Sequence, residues 1–115
     1  MKKMSVVLIT LFAVPAFADL KCSGTEPFWS LVIKSKTAIY ENMAEGLKAE
    51  LTVSAQKEAK GLKPGNVRKF SLVGEGMSGD AVVQKQKCTD GMSDITYPYN
   101  ITLSMGEEVF SGCCK

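Results

Sequence analysis

The sequence predicts an all-β fold, a small antiparallel β-barrel or sandwich stapled by two disulfides, and three observations carry that prediction. Short runs rich in β-branched and aromatic residues recur along the chain, separated by turn chemistry. One of them, Leu47 to Ala55, places Leu47, Ala49, Leu51, Val53 and Ala55 on one parity and Lys48, Glu50, Thr52 and Ser54 on the other, the period-2 pattern of a strand with one buried face. All four cysteines lie beyond the first 18 residues, in a part read below as exported, where disulfides form. No internal repeat, linker or second domain interrupts the series.

The chain opens with "MKKMSVVLITLFAVPAFA". Lys2 and Lys3 precede an apolar run, and Ala16-Phe17-Ala18 puts small residues at the first and third positions before a cut. This is the layout of a secretory signal peptide over 1–18, and the run is well short of the roughly 20 residues that span a bilayer. A lipid on Cys22 calls for a small residue before it, and Lys21 stands there. The expectation is therefore a single secreted domain over 19–115, periplasmic and without a stable membrane anchor.

Cleavage after Ala18 removes Lys2 and Lys3 and no acid, so the 14 basic residues fall to 12 against 12 acidic ones. The formal charge of +2 belongs to the export signal. Composition gives no reason to expect nucleic-acid or anionic-membrane binding. A mature domain of this size buries a core but has modest stability to spare, and covalent staples help.

Strand candidates follow in order. Phe28 to Ile33 ("FWSLVI") and Thr37 to Glu41 ("TAIYE") flank the polar "KSK" and suit a hairpin. Leu47 to Ala55 comes next, with a short helical turn expected near Gln56 to Lys60. Pro64-Gly65 marks a turn. Val67 to Val73, Asp80 to Cys88, Tyr99 to Met105 and Glu108 to Cys114 complete the series, with "GEGMSG" (Gly74 to Gly79) read as a loop.

The cysteines are Cys22, Cys88, Cys113 and Cys114. Neighbouring residues have Cα atoms only about 3.8 Å apart, whereas a disulfide prefers roughly 4.4 to 6.8 Å, so Cys113 and Cys114 are not expected to pair. The tail then ties to both Cys22 and Cys88, and because successive side chains of a strand face opposite ways, the two bridges leave it in opposite directions. Zinc is the competing reading of clustered cysteines, but there is no C-x-x-C spacing and no histidine.

The absence of histidine removes Ser-His and Cys-His catalysis, and no glycine-rich phosphate loop is present. The chain is read as non-enzymatic, with no cofactor and no metal. In "GTEPFWSL", Phe28 and Trp29 lie on opposite parities, so one ring enters the core and the other covers an edge; the sharper reading has Glu26 and Trp29 lining a pocket. In "CTDGMSD", Asp90, Ser93 and Asp94 accept bonds from nearby N–H groups, in a loop bounded by Cys88 and by Tyr97-Pro98. Asp94 is expected to matter more to that turn than Asp90, whose neighbour Gly91 already favours it. The loop lacks the spaced oxygens and terminal Glu of a calcium site. A pairing of Glu26 with one of the aspartates as acid and base is the residual catalytic reading.

Together, "EPFW", "CTDGMSDITYP" and the terminal "GC" resemble the shared pattern E-P-F-W, C-x-D-x-M-S-D-x-x-Y-P and G-C of a family of small bacterial envelope proteins of uncharacterised function. The resemblance implies pairing of Cys88 with Cys113, which leaves Cys22 for Cys114. It implies no substrate or reaction. The functional expectation is a non-enzymatic periplasmic domain that binds a small ligand or another envelope protein, with Glu26, Trp29, Asp90, Ser93, Asp94 and Tyr97 as candidate binding residues. The alternative is an envelope structural component, or a hydrolase inhibitor acting through a protruding loop such as "GEGMSGD".

Overall fold

The computed structural model describes residues 19–115, so the expected signal peptide lies outside the described residues. Eight strands follow one another: β1 (Leu20–Thr25), β2 (Phe28–Ile33), β3 (Thr37–Asn42), β4 (Leu47–Glu58), β5 (Val67–Gly74), β6 (Met77–Thr89), β7 (Thr96–Met105) and β8 (Glu108–Cys114). Each pairs antiparallel with the next, and β8 returns to β1, closing the sheet into an up-and-down barrel. Closure leaves the sheet without a free edge along its length.

The barrel is filled rather than hollow. Alternation sends Leu31 and Ile33 of β2, Ala49 and Leu51 of β4, Phe70 and Leu72 of β5, and Ile101 and Leu103 of β7 inward, all buried. Outward positions of the same strands carry Lys48, Glu50 and Lys69, the reverse of a lipid-facing barrel, whose outer surface is apolar. Among the described residues no helix is long and apolar enough to cross a membrane.

Three elements differ from the sequence expectation. No helical turn forms at Gln56 to Lys60: β4 runs on to Glu58, because β5 pairs with it as far as Glu58↔Arg68 after a bulge between Val53 and Ala55. Backbone pairing there overrides helical propensity. "GEGMSG" is not a loop either. Glu75 and Gly76, both with positive φ, make a tight hairpin turn of the kind that matches strand twist, and Ser78 and Gly79 already belong to β6. Finally, "LKCSGT" forms β1, paired along its whole length with β2. Lys, Ser and Gly hide its periodicity, and only Leu20, Cys22 and Gly24 face in.

The β1–β8 seam is the short closure. Lys21 and Lys115 exchange backbone hydrogen bonds at 2.9 and 3.0 Å, so the next pair, Cys22↔Cys114, is the non-hydrogen-bonded kind in which side chains stand closest. Cys22 and Cys114 are disulfide-bonded there, with Cα atoms 4.0 Å apart. Two residues further along each strand, Gly24 and Gly112 let the seam close over the indole. A Cβ at Gly24 would lie 2.1 Å from Trp29 Nε1, and one at Gly112 2.2 Å from the Ser23 carbonyl oxygen and 2.9 Å from Trp29 Cζ2. Close approach, not a special φ, requires glycine at both positions.

An up-and-down barrel sorts its connections by end. The β2–β3, β4–β5 and β6–β7 connections share one end with Asp19 and Lys115, called here the terminal end. The other four connections form the turn end.

Candidate functional site

The second bridge builds the site. Cys113 faces out from β8, where Cys88 of β6 meets it with a Cα–Cα distance of 5.6 Å. To get there, the β6–β7 ribbon passes an irregularity between Lys85 and Cys88 and bends back over the outside of β8. Cys88 Sγ lies 3.3 Å from the Gly112 carbonyl oxygen, a packing contact, since a disulfide sulfur carries no hydrogen. Both pairings match what the motif resemblance implies, and the two bridges leave β8 on opposite faces, Cys114 inward and Cys113 outward. All four thiols are consumed, so none is available as a nucleophile or thiolate ligand.

Under the folded-back ribbon lies a cavity of about 140 Å³, bounded by Ser23 to Thr25 of β1, Ser111 to Cys113 of β8, and Cys88, Thr89 and Asp90. The two motif segments do approach one another here, through Thr25 on one side and Asp90 on the other. The candidate residues themselves do not all follow. Glu26, in the β1–β2 turn before a cis proline, is exposed and does not line the cavity. Trp29 is only 1% exposed and belongs to the core, its ring centroid 5.9 Å from that of Phe110. Phe28, on the opposite parity, faces solvent. The pocket reading of Trp29 is thereby corrected: β-strand alternation assigns its ring to the barrel interior.

The loop after Cys88 is organised by one carboxylate. Asp90 Oδ1 accepts the backbone N–H of Met92 at 2.9 Å and of Ser93 at 3.0 Å, and Ser93 Oγ–H also donates to it at 3.3 Å. Ser93 Oγ then accepts the N–H of Ile95 at 3.4 Å. These bonds, those from the Met92 and Ser93 backbone first, hold the Asp90 carboxyl below its usual range. Asp94 is exposed, and no hydrogen bond among the described residues ends on it. The expected ranking of the two aspartates is therefore reversed. An Asx turn is closed by the residue preceding the N–H groups it caps, and Asp94 sits too late to do so. Tyr97, paired opposite Cys88, is half-buried and forms, with Pro98, Lys85 and Lys87, the wall of an open groove beside the ribbon.

Asp90→Asn is expected to lower the melting temperature, whereas Asp94→Asn leaves it unchanged. The pH dependence follows from the depressed folded-state pKa: the contribution of Asp90 is fully present above the unfolded carboxylate value of about 4 and is lost as pH falls through the lower folded value. Thermal melts of both variants and the parent from neutral to acid pH check this, and the gap between Asp90→Asn and the parent should close in acid.

What the loop presents outward is apolar. Met92 is 69% exposed and Ile95 56% exposed, both on a segment pinned by a disulfide at its base and capped from within. Neither is among the candidate binding residues read from the sequence, where Met92 enters only as a position of the motif pattern and Ile95 not at all. Isolated apolar residues in a polar loop give no periodic signal.

Comparison with family models, with curated proteins and with solved structures found no match. The two disulfides place the folded chain in an oxidising, extracytoplasmic environment.

Proposed function

We propose that this is a non-enzymatic domain, exported to the periplasm by the cleaved segment 1–18, that binds another envelope protein through its β6–β7 ribbon. The observation that carries the reading is that Met92 and Ile95 are exposed on a loop tied down by the Cys88–Cys113 bridge and capped by Asp90. Large apolar side chains on a preordered loop lose little entropy on binding, and Met is among the residue types enriched at protein interfaces. The open groove lined by Tyr97, Pro98 and Thr96, with Lys85 and Lys87 on its rim, extends the same surface.

Two features weigh against the other readings. The cavity beneath the ribbon, about 140 Å³, falls below the roughly 300 Å³ at which small-molecule sites begin, and the larger groove beside Tyr97, about 380 Å³, lies open to solvent rather than enclosing a ligand. Asp90 is committed to its own loop as an ionised acceptor, a poor general acid, and Glu26 stands apart from the cavity. A hydrolase as the bound partner would make the domain an inhibitor; the ribbon, not the tight Glu75-Gly76 turn, would then be the acting loop.

The test is capture from periplasmic extract with the oxidised mature domain as bait. The parent should retain a defined envelope protein, and Met92→Ser with Ile95→Ser should lose it at unchanged melting temperature. Equal capture by the double variant would remove the ribbon as the binding surface.

A further inference from the structure

The mature chain is nearly neutral by composition, yet the fold separates its charges. At the terminal end the β2–β3 turn supplies Lys34 and Lys36, the β4–β5 loop Lys60 and Lys63, and the end of β6 Lys85 and Lys87. The turn end carries Glu26, Glu45, Glu75, Glu107 and Glu108, with Lys48 as its basic residue. There Tyr40 has its pKa raised, by burial first and then by Glu45 and Glu108, against a lowering from its bond with Asn42. Charges that cancel in the sum thus form an axial dipole.

The positive end is not neutralised from within. Among the described residues the one ion pair is Lys69 with Asp80, at 3.9 Å on the barrel wall. Arg68 lies over the rings of Phe70 and Tyr99, 5.7 and 5.6 Å from their centroids, and its shielded Nε has no acceptor. The carboxylates at this end are accounted for. Glu58, opposite Arg68 in the β4–β5 ladder, turns instead to accept the N–H of Gly65 at 3.0 Å. Asp90 is carried away by the ribbon to the β1–β8 seam. Asp94 shares the loop of Asp90, and the acids that remain near the lysines of the strand ends are Asp19 and the Lys115 α-carboxylate, fewer than the lysines there.

An apolar side chain stands at the tip of this basic end. Leu62 is 52% exposed, between Lys60 and Lys63 on the β4–β5 loop. A large aliphatic group flanked by lysines is suited to the boundary of an anionic bilayer, where the side chain enters the headgroup layer and the ammonium groups meet lipid phosphates.

We infer that the terminal end of the barrel docks reversibly on an anionic phospholipid surface, with Lys34, Lys36, Lys60 and Lys63 as the charge contacts and Leu62 as the wedge. This leaves the β6–β7 ribbon on the side of the barrel, clear of the bilayer and open to a protein partner. The inference does not depend on that partner, since the two surfaces use different loops.

The experiment is co-flotation of the oxidised mature domain with phosphatidylcholine vesicles and with vesicles in which phosphatidylglycerol is admixed, at low and high salt. Binding is expected only with phosphatidylglycerol and should be lost at high salt. Each lysine near the surface contributes about fivefold, so Lys60→Gln with Lys63→Gln should weaken binding roughly 25-fold. Leu62→Ser should weaken it too, and Lys48→Gln at the opposite end should change nothing. Melting temperatures of the variants confirm that each is folded. Equal binding to pure phosphatidylcholine, or full retention by the Lys60/Lys63 variant, overturns the inference. So does displacement of the domain from vesicles by inorganic phosphate at low concentration, which would mark a small-anion site instead.

Discussion

Replacing Cys22 and Cys114 together by serine is expected to destabilise the protein by about 4.5 kcal/mol, the larger of the two disulfide effects. The bridge spans 92 residues, and the chain-entropy relation gives about 4.5 kcal/mol for a loop of that length against about 3.5 kcal/mol for 25 residues, the span of Cys88–Cys113. Its position adds to the effect, because the β1–β8 ladder registers only Cys22↔Cys114 and Ser23↔Cys113 beside the Lys21–Lys115 bonds. A seam so short has few other contacts to hold it once the covalent link is gone. For a domain of this size the loss corresponds to a fall of roughly 20 °C or more in melting temperature. Calorimetry of the two double-serine variants checks the order, with Cys22/Cys114 the lower melting.

Trp29→Ala is expected to cost about 3 to 5 kcal/mol. The indole is the largest fully buried side chain, it packs against Phe110, and it fills the space directly beneath Gly24 and Gly112. Removing it leaves a void under the closing seam that the two glycines have no side chains to fill. Trp29→Phe should recover part of the loss. Chemical denaturation followed by far-ultraviolet circular dichroism measures both variants without relying on the lost fluorophore. A Trp29→Ala protein as stable as the parent would return the indole to the surface role that the sequence also allowed.

The elements legible in the sequence were those with one wet and one dry face. Leu47 to Ala55 announced β4 through strict alternation, and "FWSLVI" and "EVFSGCC" coincide with β2 and β8 residue for residue. What the sequence concealed depended on pairing. β1 has little hydrophobic signal and is a strand because β2 and β8 flank it, and the end of β4 is exposed on both faces and stays extended because β5 holds it. The same holds at the candidate site. That the end of β1, through Thr25, and the loop at Asp90 approach one region follows from both bridges ending on β8, whereas the residues of "EPFW" turn away from it. Which aspartate caps the loop depends on the order of N–H groups around Asp90, and the approach of that loop to the β1–β8 seam depends on a bend at the irregularity after Lys85. Charge separation was invisible for a simpler reason: composition adds charges, while the meander assigns alternate connections to opposite ends.

The two adjacent cysteines do different work, Cys114 closing the barrel and Cys113 pinning the ribbon that presents Met92 and Ile95. Native-state hydrogen exchange on the two double-serine variants measures this directly. With Cys88 and Cys113 replaced, protection should fall in residues 86–98 while the amides of β2, β3 and β4 keep parental protection. With Cys22 and Cys114 replaced, protection should fall across the whole barrel, since opening the seam exposes the common core. Global loss on removing Cys88–Cys113, with the barrel unaffected by removing Cys22–Cys114, would contradict the assignment.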